Sequence, residues 1–165
     1  PCLVPKNNFI ASVDGVFNGI VVESDFCNKS FFQGEGAGSL PTATSVFSDI
    51  LSIINSNQVN NILRNKLNSN KPNLQKRIGS FYLRFITEDK PGVISGIANE
   101  FKRFNISMKS MLQKDDDRNS EKFATIVITT HNCDEKNMTL ALSSINKMNF
   151  IKQKVVYYRI EDFTT

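Results

Sequence analysis

Apolar residues alternate along a short stretch in the second half of the chain. In FYLRFIT, residues 81–87, the apolar side chains of Phe81, Leu83 and Phe85 fall on one side, as expected for a strand with one buried face. An apolar stripe with helical spacing comes next and consists of Val93, Ile97, Phe101 and Phe104. The pattern predicts a strand followed by an amphipathic helix.

Further elements are predicted after this strand and helix. The pattern favours strands over 106–113 and 122–130, a helix over 135–147 and a final strand over 151–160. The predicted order is therefore βαββαβ. This order is typical of the ferredoxin-like α+β fold, in which an antiparallel four-stranded sheet carries both helices on one face.

The first 64 residues predict a smaller and less complete α+β segment. One strand is predicted after a turn at Asp14, and a second over 30–33. A helix is predicted from Pro41, because apolar residues then recur with helical spacing as far as Ile54. A further apolar cluster lies within 59–67. A pair of strands and a helix bury too little apolar surface to form a core alone, so we expect this segment to belong to something larger.

A polar stretch separates the two parts. Residues 65–79 contain Pro72 and Gly79 and show neither helical nor alternating periodicity. We therefore divide the chain into a first unit at 1–64, a linker at 65–79 and a second unit at 80–165.

The net charge of +4 is concentrated near this linker. No acidic residue occurs between Asp49 and Glu88, whereas six basic residues do. A nucleic-acid surface would interleave such charges with stacking aromatic side chains, and residues 51–80 contain no aromatic residue. The charge pattern favours a solvated connector, and we expect no nucleic-acid partner.

Cysteine and histidine usage limits the other classes of protein. The 165 residues contain three scattered cysteines and one histidine, His131, near Cys133. This spacing provides neither a zinc ligand set nor a disulfide framework, so we expect no metal. No apolar run is long enough to span a bilayer and the chain opens without a signal-peptide pattern. We therefore expect a cytoplasmic protein without a membrane partner.

The turn from Asp89 to Val93 is the strongest candidate for binding. Asp89 is able to cap the following helix, Pro91 suits its start, and Gly92 lets a ligand approach the backbone. Free amides and the helix dipole at such a turn attract a carboxylate. An ordinary strand-to-helix connection would have the same residues, so the spacing alone leaves both interpretations open.

Asn105 lies just before the predicted second strand of this unit. Its side chain has a donor and an acceptor, which would suit the polar groups of an amino acid. RNA-recognition motifs share the βαββαβ order, but their third strand carries several exposed aromatic residues. Here that region offers only Phe123. RNA binding is therefore the weaker alternative.

The sequence FYLRFITEDKPGVISGIANEFKRFNISMKSMLQ resembles the ACT domain, a small amino-acid-sensing module, in its D-K-P-G-V turn and F-N-I-S strand entry. The resemblance covers residues 80–163. It implies an amino-acid effector held by the turn before the first helix and by the start of the second strand. The implied effector-site residues are Asp89, Gly92, Val93, Asn105 and Ile106. It also implies a homodimer or higher homo-oligomer formed through the ACT sheets.

VPKNNFIASVDGVFNGIVVES followed by GEGAGSLPTATSVFSDI resembles the C-terminal portion of the catalytic and dimerisation region of homoserine dehydrogenase. In that family a G-x-G-A-G-x-x-P-T-A segment starts a helix. The resemblance implies that Gly34, Gly36, Ala37 and Gly38 lie close to an NAD(P) cofactor in the parent enzyme. The alternative is a tight connection made only for packing.

Together the two resemblances imply a regulatory C-terminal portion of homoserine dehydrogenase. The parent enzyme interconverts aspartate semialdehyde and homoserine for threonine and methionine synthesis, and threonine is the effector expected for feedback inhibition. The family's Rossmann domain and catalytic lysine have no counterpart here, so we expect no catalytic residue, no bound cofactor and no activity from this chain alone. The alternative is a stand-alone, non-catalytic ACT module that acts through dimerisation.

Overall fold

The chain forms two compact units. The computed structural model describes residues 1–55, 76–115 and 123–161. One unit, the larger, joins Pro1–Pro5 to Pro72–Phe163, and the other, the smaller, is Lys6–Lys71. The predicted apolar cluster at 59–67, most of the predicted linker and the loop before the third ferredoxin-like strand lie outside the described residues.

The described elements follow the predicted order, with additions. The strands are β1 (Cys2–Leu3), β2 (Phe17–Ser24), β3 (Asn28–Glu35), β4 (Ile78–Glu88), β5 (Met108–Asp115), β6 (Phe123–Thr130), β7 (Cys133–Asp134) and β8 (Val156–Ile160). The helices are α1 (Ser39–Asn55), α2 (Val93–Arg103) and α3 (Glu135–Ile145), with a short 3-10 helix at Phe9–Ser12.

The sheet of the larger unit confirms the ferredoxin-like α+β prediction. Its strand order is β1-β8-β4-β6-β5. The pairs β8–β4, β4–β6 and β6–β5 are antiparallel, whereas β1 runs parallel to β8. Strand β4 is therefore central and is bonded on both sides.

One face of this sheet forms the core. Phe81, Leu83 and Phe85 of β4 are completely buried, and Ile126 and Ile128 of β6 are almost so. Because paired residues of an antiparallel sheet point to the same side, these side chains form one apolar layer. Side chains of both helices complete the same cluster, namely Val93, Ile97, Phe101, Met138, Ala141, Leu142 and Ile145. Both helices thus cover one face, as predicted.

The bounds of several elements differ from the prediction by a few residues. Strand β4 begins at Ile78 instead of Phe81, because Ile78 and Gly79 pair with β7. The last strand is shorter than predicted, since only Val156–Ile160 form it and Ile151 makes an isolated bridge to Thr87. The sequence division also placed the first residues with the first unit, whereas Pro1–Pro5 lie with the larger unit through β1.

A cluster of ion pairs ties the start of β4 to β8 and α3. The carboxylate of Glu135, nearly buried, accepts from Arg159 Nη2 at 2.6 Å and from Arg77 Nη1 at 3.3 Å. Arg77 Nη2 also donates to Glu161 Oε1 at 2.6 Å. Charge-assisted hydrogen bonds between groups of low exposure are stronger than surface pairs. The cluster therefore fixes the guanidinium of Arg77 in one place.

The smaller unit consists of the β2–β3 hairpin, the 3-10 helix and α1. The hairpin register pairs Phe17 with Glu35 and Ser24 with Asn28, so both predicted strands are confirmed, and the second is longer than the predicted 30–33. Helix α1 begins at Ser39, two residues before the predicted Pro41. Its apolar stripe is exposed within this chain, as shown by Val46, Phe47, Ile50, Ile53 and Ile54.

Asn105 terminates helix α2. The residue has a φ of 55°, a left-handed conformation that asparagine tolerates better than most residues. The following amide, Ile106 N–H, donates to Phe101 O at 2.8 Å, and Asn105 N–H donates to Lys102 O at 3.1 Å. This is the pattern of a Schellman-type helix end.

The stability of this helix end depends on the residue at position 105. In Asn105→Ala the Cβ of alanine clashes with the backbone at positive φ, without the local hydrogen bonding that helps asparagine, and we expect the free energy of unfolding to fall by about 1 kcal/mol. Asn105→Gly, the matched control, is expected to retain the stability because glycine accepts this φ. Urea unfolding of both variants checks this, and an alanine variant as stable as the glycine variant would contradict it.

Candidate functional site

A cavity lies where β4 meets α2. Its volume is about 410 Å³, and the turn from Asp89 to Gly92 forms one side. The remaining lining residues are Thr87, Glu88, Val93, Ile94, Gln113 and Ile126. The cavity, called here the turn cavity, therefore combines the end of the central strand, the start of a helix and the edge strand β5.

Gly92 leaves the first turn of α2 without a side-chain cap. It is the N-cap residue with a φ of 92°, and glycine has no side chain to accept from the amides of the first turn. A Cβ at this position would meet no atom within 4 Å, so the backbone angle, not crowding, favours glycine here. Uncapped amides and the helix dipole make this corner attractive to an anion.

Asp89 lies at the same corner but does not cap the helix as the sequence had suggested. Its side chain is exposed, and Oδ1 accepts from Gln113 Nε2 at 3.4 Å. The carboxylate is thus held near the cavity without capping α2. Of the amides in the first turn, Val93 N–H donates weakly to Lys90 O at 3.5 Å. The cavity thus combines a carboxylate with N–H groups at the positive end of a helix dipole. These two features complement the ammonium and carboxylate groups of a zwitterion.

Gln113 is a lining residue that the sequence reasoning missed. It pairs with Ile126 across β5 and β6, so it belongs to the face of the sheet that the helices cover. A polar side chain on the apolar side of a predicted strand was the signal available in the sequence. At the end of β5 this side chain reaches the cavity instead of the core.

Glu88 fastens the turn to the segment before β8. Its two carboxylate oxygens form ion pairs with Lys90 and Lys152, and Lys152 N–H donates to Ile86 O at 2.9 Å. Hydrogen bonds from Lys152 and then Lys90 hold the pKa of Glu88 below its ordinary value. The ionised form therefore stabilises the folded turn.

The predicted effector residues fall into two groups. Asp89, Gly92 and Val93 line the turn cavity, whereas Asn105 and Ile106 do not line it within this chain. Ile106 is buried in the core, and Asn105 ends α2. The structure thus gives Asn105 a local backbone role, and its predicted contact with an effector stays a prediction.

The glycine segment runs from Gly34, near the end of β3, to Gly38, just before α1, in the smaller unit. Gly36 N–H donates to Val16 O at 2.7 Å, and a Cβ on Gly36 would collide with the side chain of Asn18. Gly38 has a φ of 132°, and its carbonyl accepts from Thr42. Packing and backbone angle therefore explain two of the glycines without a ligand.

Gly34 and Ala37 of the same segment are open. A Cβ on Gly34 would meet no atom within 4 Å, and both residues are exposed. Gly34 is paired with Asn18 in the hairpin, whereas Ala37 lies just before α1, where exposed backbone leaves room for a group to approach. The proximity of a dinucleotide to these residues stays a prediction.

The described parts of the chain offer little for other kinds of site. Residues 1–55, 76–115 and 123–161 contain no group of three or more histidine, cysteine or acidic side chains that could hold a metal ion. Among the described helices, none has the length and apolar character needed to cross a membrane. Cys133 is buried, and burial raises the pKa of its thiol, which keeps the thiol in its less reactive form.

Comparison with known families first defines the class of the larger unit. Residues 81–149 match the family model of the ACT domain, which agrees with the strand order, the two helices and the cavity after β4. The matched part of the larger unit is therefore an ACT domain, and the unit is called the ACT domain below.

The rest of the chain places this domain in an enzyme family. Residues 1–51 match the family model of homoserine dehydrogenase. Homoserine dehydrogenase of Neisseria gonorrhoeae is 30% identical over 98% of this chain and 39% of its own length, and that of Synechocystis is 32% identical over 93% and 37%. The chain thus corresponds to the C-terminal part of homoserine dehydrogenases, as predicted, and spans under two fifths of the length of these relatives.

Solved structures agree with this assignment. A homoserine dehydrogenase from Thiobacillus denitrificans superimposes with a TM-score of 0.80 and 28% identity, covering 98% of this chain and 38% of that one. A homoserine dehydrogenase from S. aureus gives a TM-score of 0.52 at 22% identity over 96% of this chain. The second comparison supports the fold alone.

The ion pairs of Glu88 predict a stability that depends on pH. Since the pKa of Glu88 is lower in the folded protein than the ordinary value of 4.5, its contribution is present above that value and is lost as the pH falls through the lowered pKa. Glu88→Gln is expected to lower the thermal midpoint at pH 7 and to change it much less at about pH 3.

Circular dichroism melts of the wild type and the variant measure this difference, with Asp49→Asn, an exposed carboxylate on α1, as control. A Glu88→Gln deficit that stays equal at both pH values would contradict an ionic origin.

Proposed function

We propose that the ACT domain binds a free amino acid, threonine, in the turn cavity and thereby inhibits the homoserine dehydrogenase to which this chain corresponds. The observation that carries the proposal is the uncapped start of α2 beside the carboxylate of Asp89 in one cavity. An amino acid has the two opposite charges that these groups complement, and the cavity is small enough to favour a compact ligand.

The proposed orientation follows from the charges. The α-carboxylate accepts from the amides at the start of α2, and the ammonium group donates to Asp89. Gln113, already in contact with Asp89, is near enough to the cavity to offer its amide to a side-chain hydroxyl. The apolar walls, Val93 and Ile126, suit a methyl group, so threonine fits better than a purely aliphatic or a bulky amino acid.

The activity that this binding regulates is proposed to be the interconversion of aspartate semialdehyde and homoserine. NAD(P) supplies or accepts the hydride when bound. We place the cofactor near Gly34, Gly36, Ala37 and Gly38, because the exposed glycine backbone and the start of α1 suit close approach of a negatively charged group. Since the chain spans under two fifths of its relatives, we expect the reaction to need residues beyond these 165.

Regulation is proposed to act through paired ACT domains. The face of the sheet that the helices leave uncovered carries Tyr82, Arg84 and Val127, none of them buried. Such a face is available to a second copy. A ligand that favours one of two pairings by about 1–3 kcal/mol would produce useful inhibition.

Binding of threonine is the first test of this proposal. Calorimetric titration of the chain is expected to show saturable binding of threonine and weaker binding of isoleucine and methionine. Asp89→Asn removes the charge that holds the ammonium group and is expected to weaken binding about tenfold or more, as for a hydrogen bond to a charged group.

The matched control is Asp49→Asn, which removes a carboxylate of the smaller unit and is expected to leave binding unchanged. Absence of saturable threonine binding, or equal affinity of Asp89→Asn and wild type, would contradict the proposal. Binding that leaves the dehydrogenase activity of the parent enzyme unaffected would instead favour a sensor without feedback inhibition.

A further inference from the structure

A second cavity lies at the opposite end of the central strand. It has a volume of about 590 Å³ and is lined by polar and charged side chains of the ACT domain, among them Arg77, Ser80, Lys109, Thr130, His131 and Glu161. Ile78–Ser80 of β4 border this cavity, whereas Thr87 and Glu88 border the turn cavity. The two cavities lie about 25 Å apart along the strand and are therefore separate. The second is called here the polar cavity.

A β-bulge places Lys109 at the polar cavity. Met108 pairs with Thr130 and Ser110 with Thr129, so Lys109 is the extra residue between them. Bulges redirect a side chain relative to the regular alternation and are common next to binding sites. Within the described parts of the chain Lys109 has no ion pair, and its charge is therefore uncompensated there.

Arg77 presents a fixed cation to the same cavity. Its Cζ lies 5.6 Å from the centre of the Phe81 ring, and a Cβ on Gly79 would stand 2.5 Å from its guanidinium nitrogens. Glycine at position 79 thus allows Arg77 to fold back over β4. The buried Glu135 holds one side of the guanidinium, as described above, so its position does not depend on a ligand.

The carboxylate of Glu161 forms an ion pair with the other side of this guanidinium, and it is the more exposed of the two carboxylates. Its side chain is 32% exposed, compared with 8% for Glu135. Its backbone is held in place, because Glu161 N–H donates to Leu3 O at 2.9 Å. The side chain alone can therefore swing into solvent, which would open one face of Arg77 to another anion.

We propose that the polar cavity is a second ligand site and that it takes a small anion bearing a carboxylate or phosphate group. The anion accepts from Lys109 and Arg77 and displaces the carboxylate of Glu161. The side chains of Ser80 and His131 add hydrogen-bond donors from the same walls. This site does not depend on amino-acid binding in the turn cavity.

Nuclear magnetic resonance of the ¹⁵N-labelled full chain tests the proposal. Sodium acetate and sodium phosphate are titrated in separate arms, with sodium chloride used to keep the ionic strength constant. We expect saturable shifts of the Gly79, Lys109 and Asn132 amides in at least one arm, and the arm that saturates identifies the anion class. Shifts of the Gly92 and Ile94 amides would show separately whether an anion binds in the turn cavity.

Variants with opposite expected effects distinguish a site from general screening. Lys109→Gln is expected to weaken binding about fivefold or more, whereas Glu161→Gln, which removes the competing carboxylate, is expected to strengthen it by about the same factor. Lys114→Gln is the matched control, because this lysine lies on the same strand, is exposed and does not line the cavity. Shifts that do not saturate, or equal affinities for the Lys109→Gln and Lys114→Gln proteins, would overturn the proposal.

Discussion

The central position of β4 is the constraint on which the ACT domain depends. This strand is hydrogen-bonded to β8 on one side and to β6 on the other, and its first residues also pair with β7. Its buried side chains, Phe81, Leu83 and Phe85, hold both helices against the sheet. Any displacement of β4 would therefore break hydrogen bonds on both sides and open the core. Both cavities are built at the ends of this one rigid element.

Ion pairs hold both ends of β4, and the two sets of pairs differ in how exposed they are. At the end of the strand Glu88 binds two lysines near the surface, where such pairs are weak and sensitive to pH and salt. At the start of the strand Arg77 pairs with the nearly buried Glu135, where salt screens the interaction less. The turn cavity therefore lies at the more adjustable end, where a ligand is able to change the local structure at low cost. The polar cavity lies at the end held by the less exposed pair.

The general architecture could be predicted from sequence because it depends on local periodicity. Alternation in residues 81–87 and the stripe from Val93 to Phe104 are each sufficient to define an element. Strand β1 could not be found in this way, because two residues contain no period and their partner lies more than 150 residues later in the chain. The exposed stripe of α1 was visible as a helix, but no local pattern shows what covers such a face.

The candidate site was only partly predictable, because some of its residues come together through long-range pairing and not through a local pattern. The turn residues Asp89 and Gly92 have a local signature, and the structure brings both to the turn cavity. Gln113 and Lys152 reach this region through strand pairing and a distant segment, which the sequence pattern does not reveal. Asn105 was interpreted as a polar contact, which stays a prediction, and its positive φ adds a backbone reason for asparagine at this position. A polar residue at the end of a helix therefore has two physical explanations, a ligand contact and a backbone preference, and the sequence pattern does not distinguish them.

The most direct test of the central claim, that the bare start of α2 binds a zwitterion, is a crystal structure of this chain grown with threonine. The account predicts density for one amino acid per ACT domain, with its carboxylate about 3 Å from the amides at the start of α2 and its ammonium group at Asp89. A turn cavity filled by the protein's own side chains, or threonine bound elsewhere while these amides stay unoccupied, would contradict it.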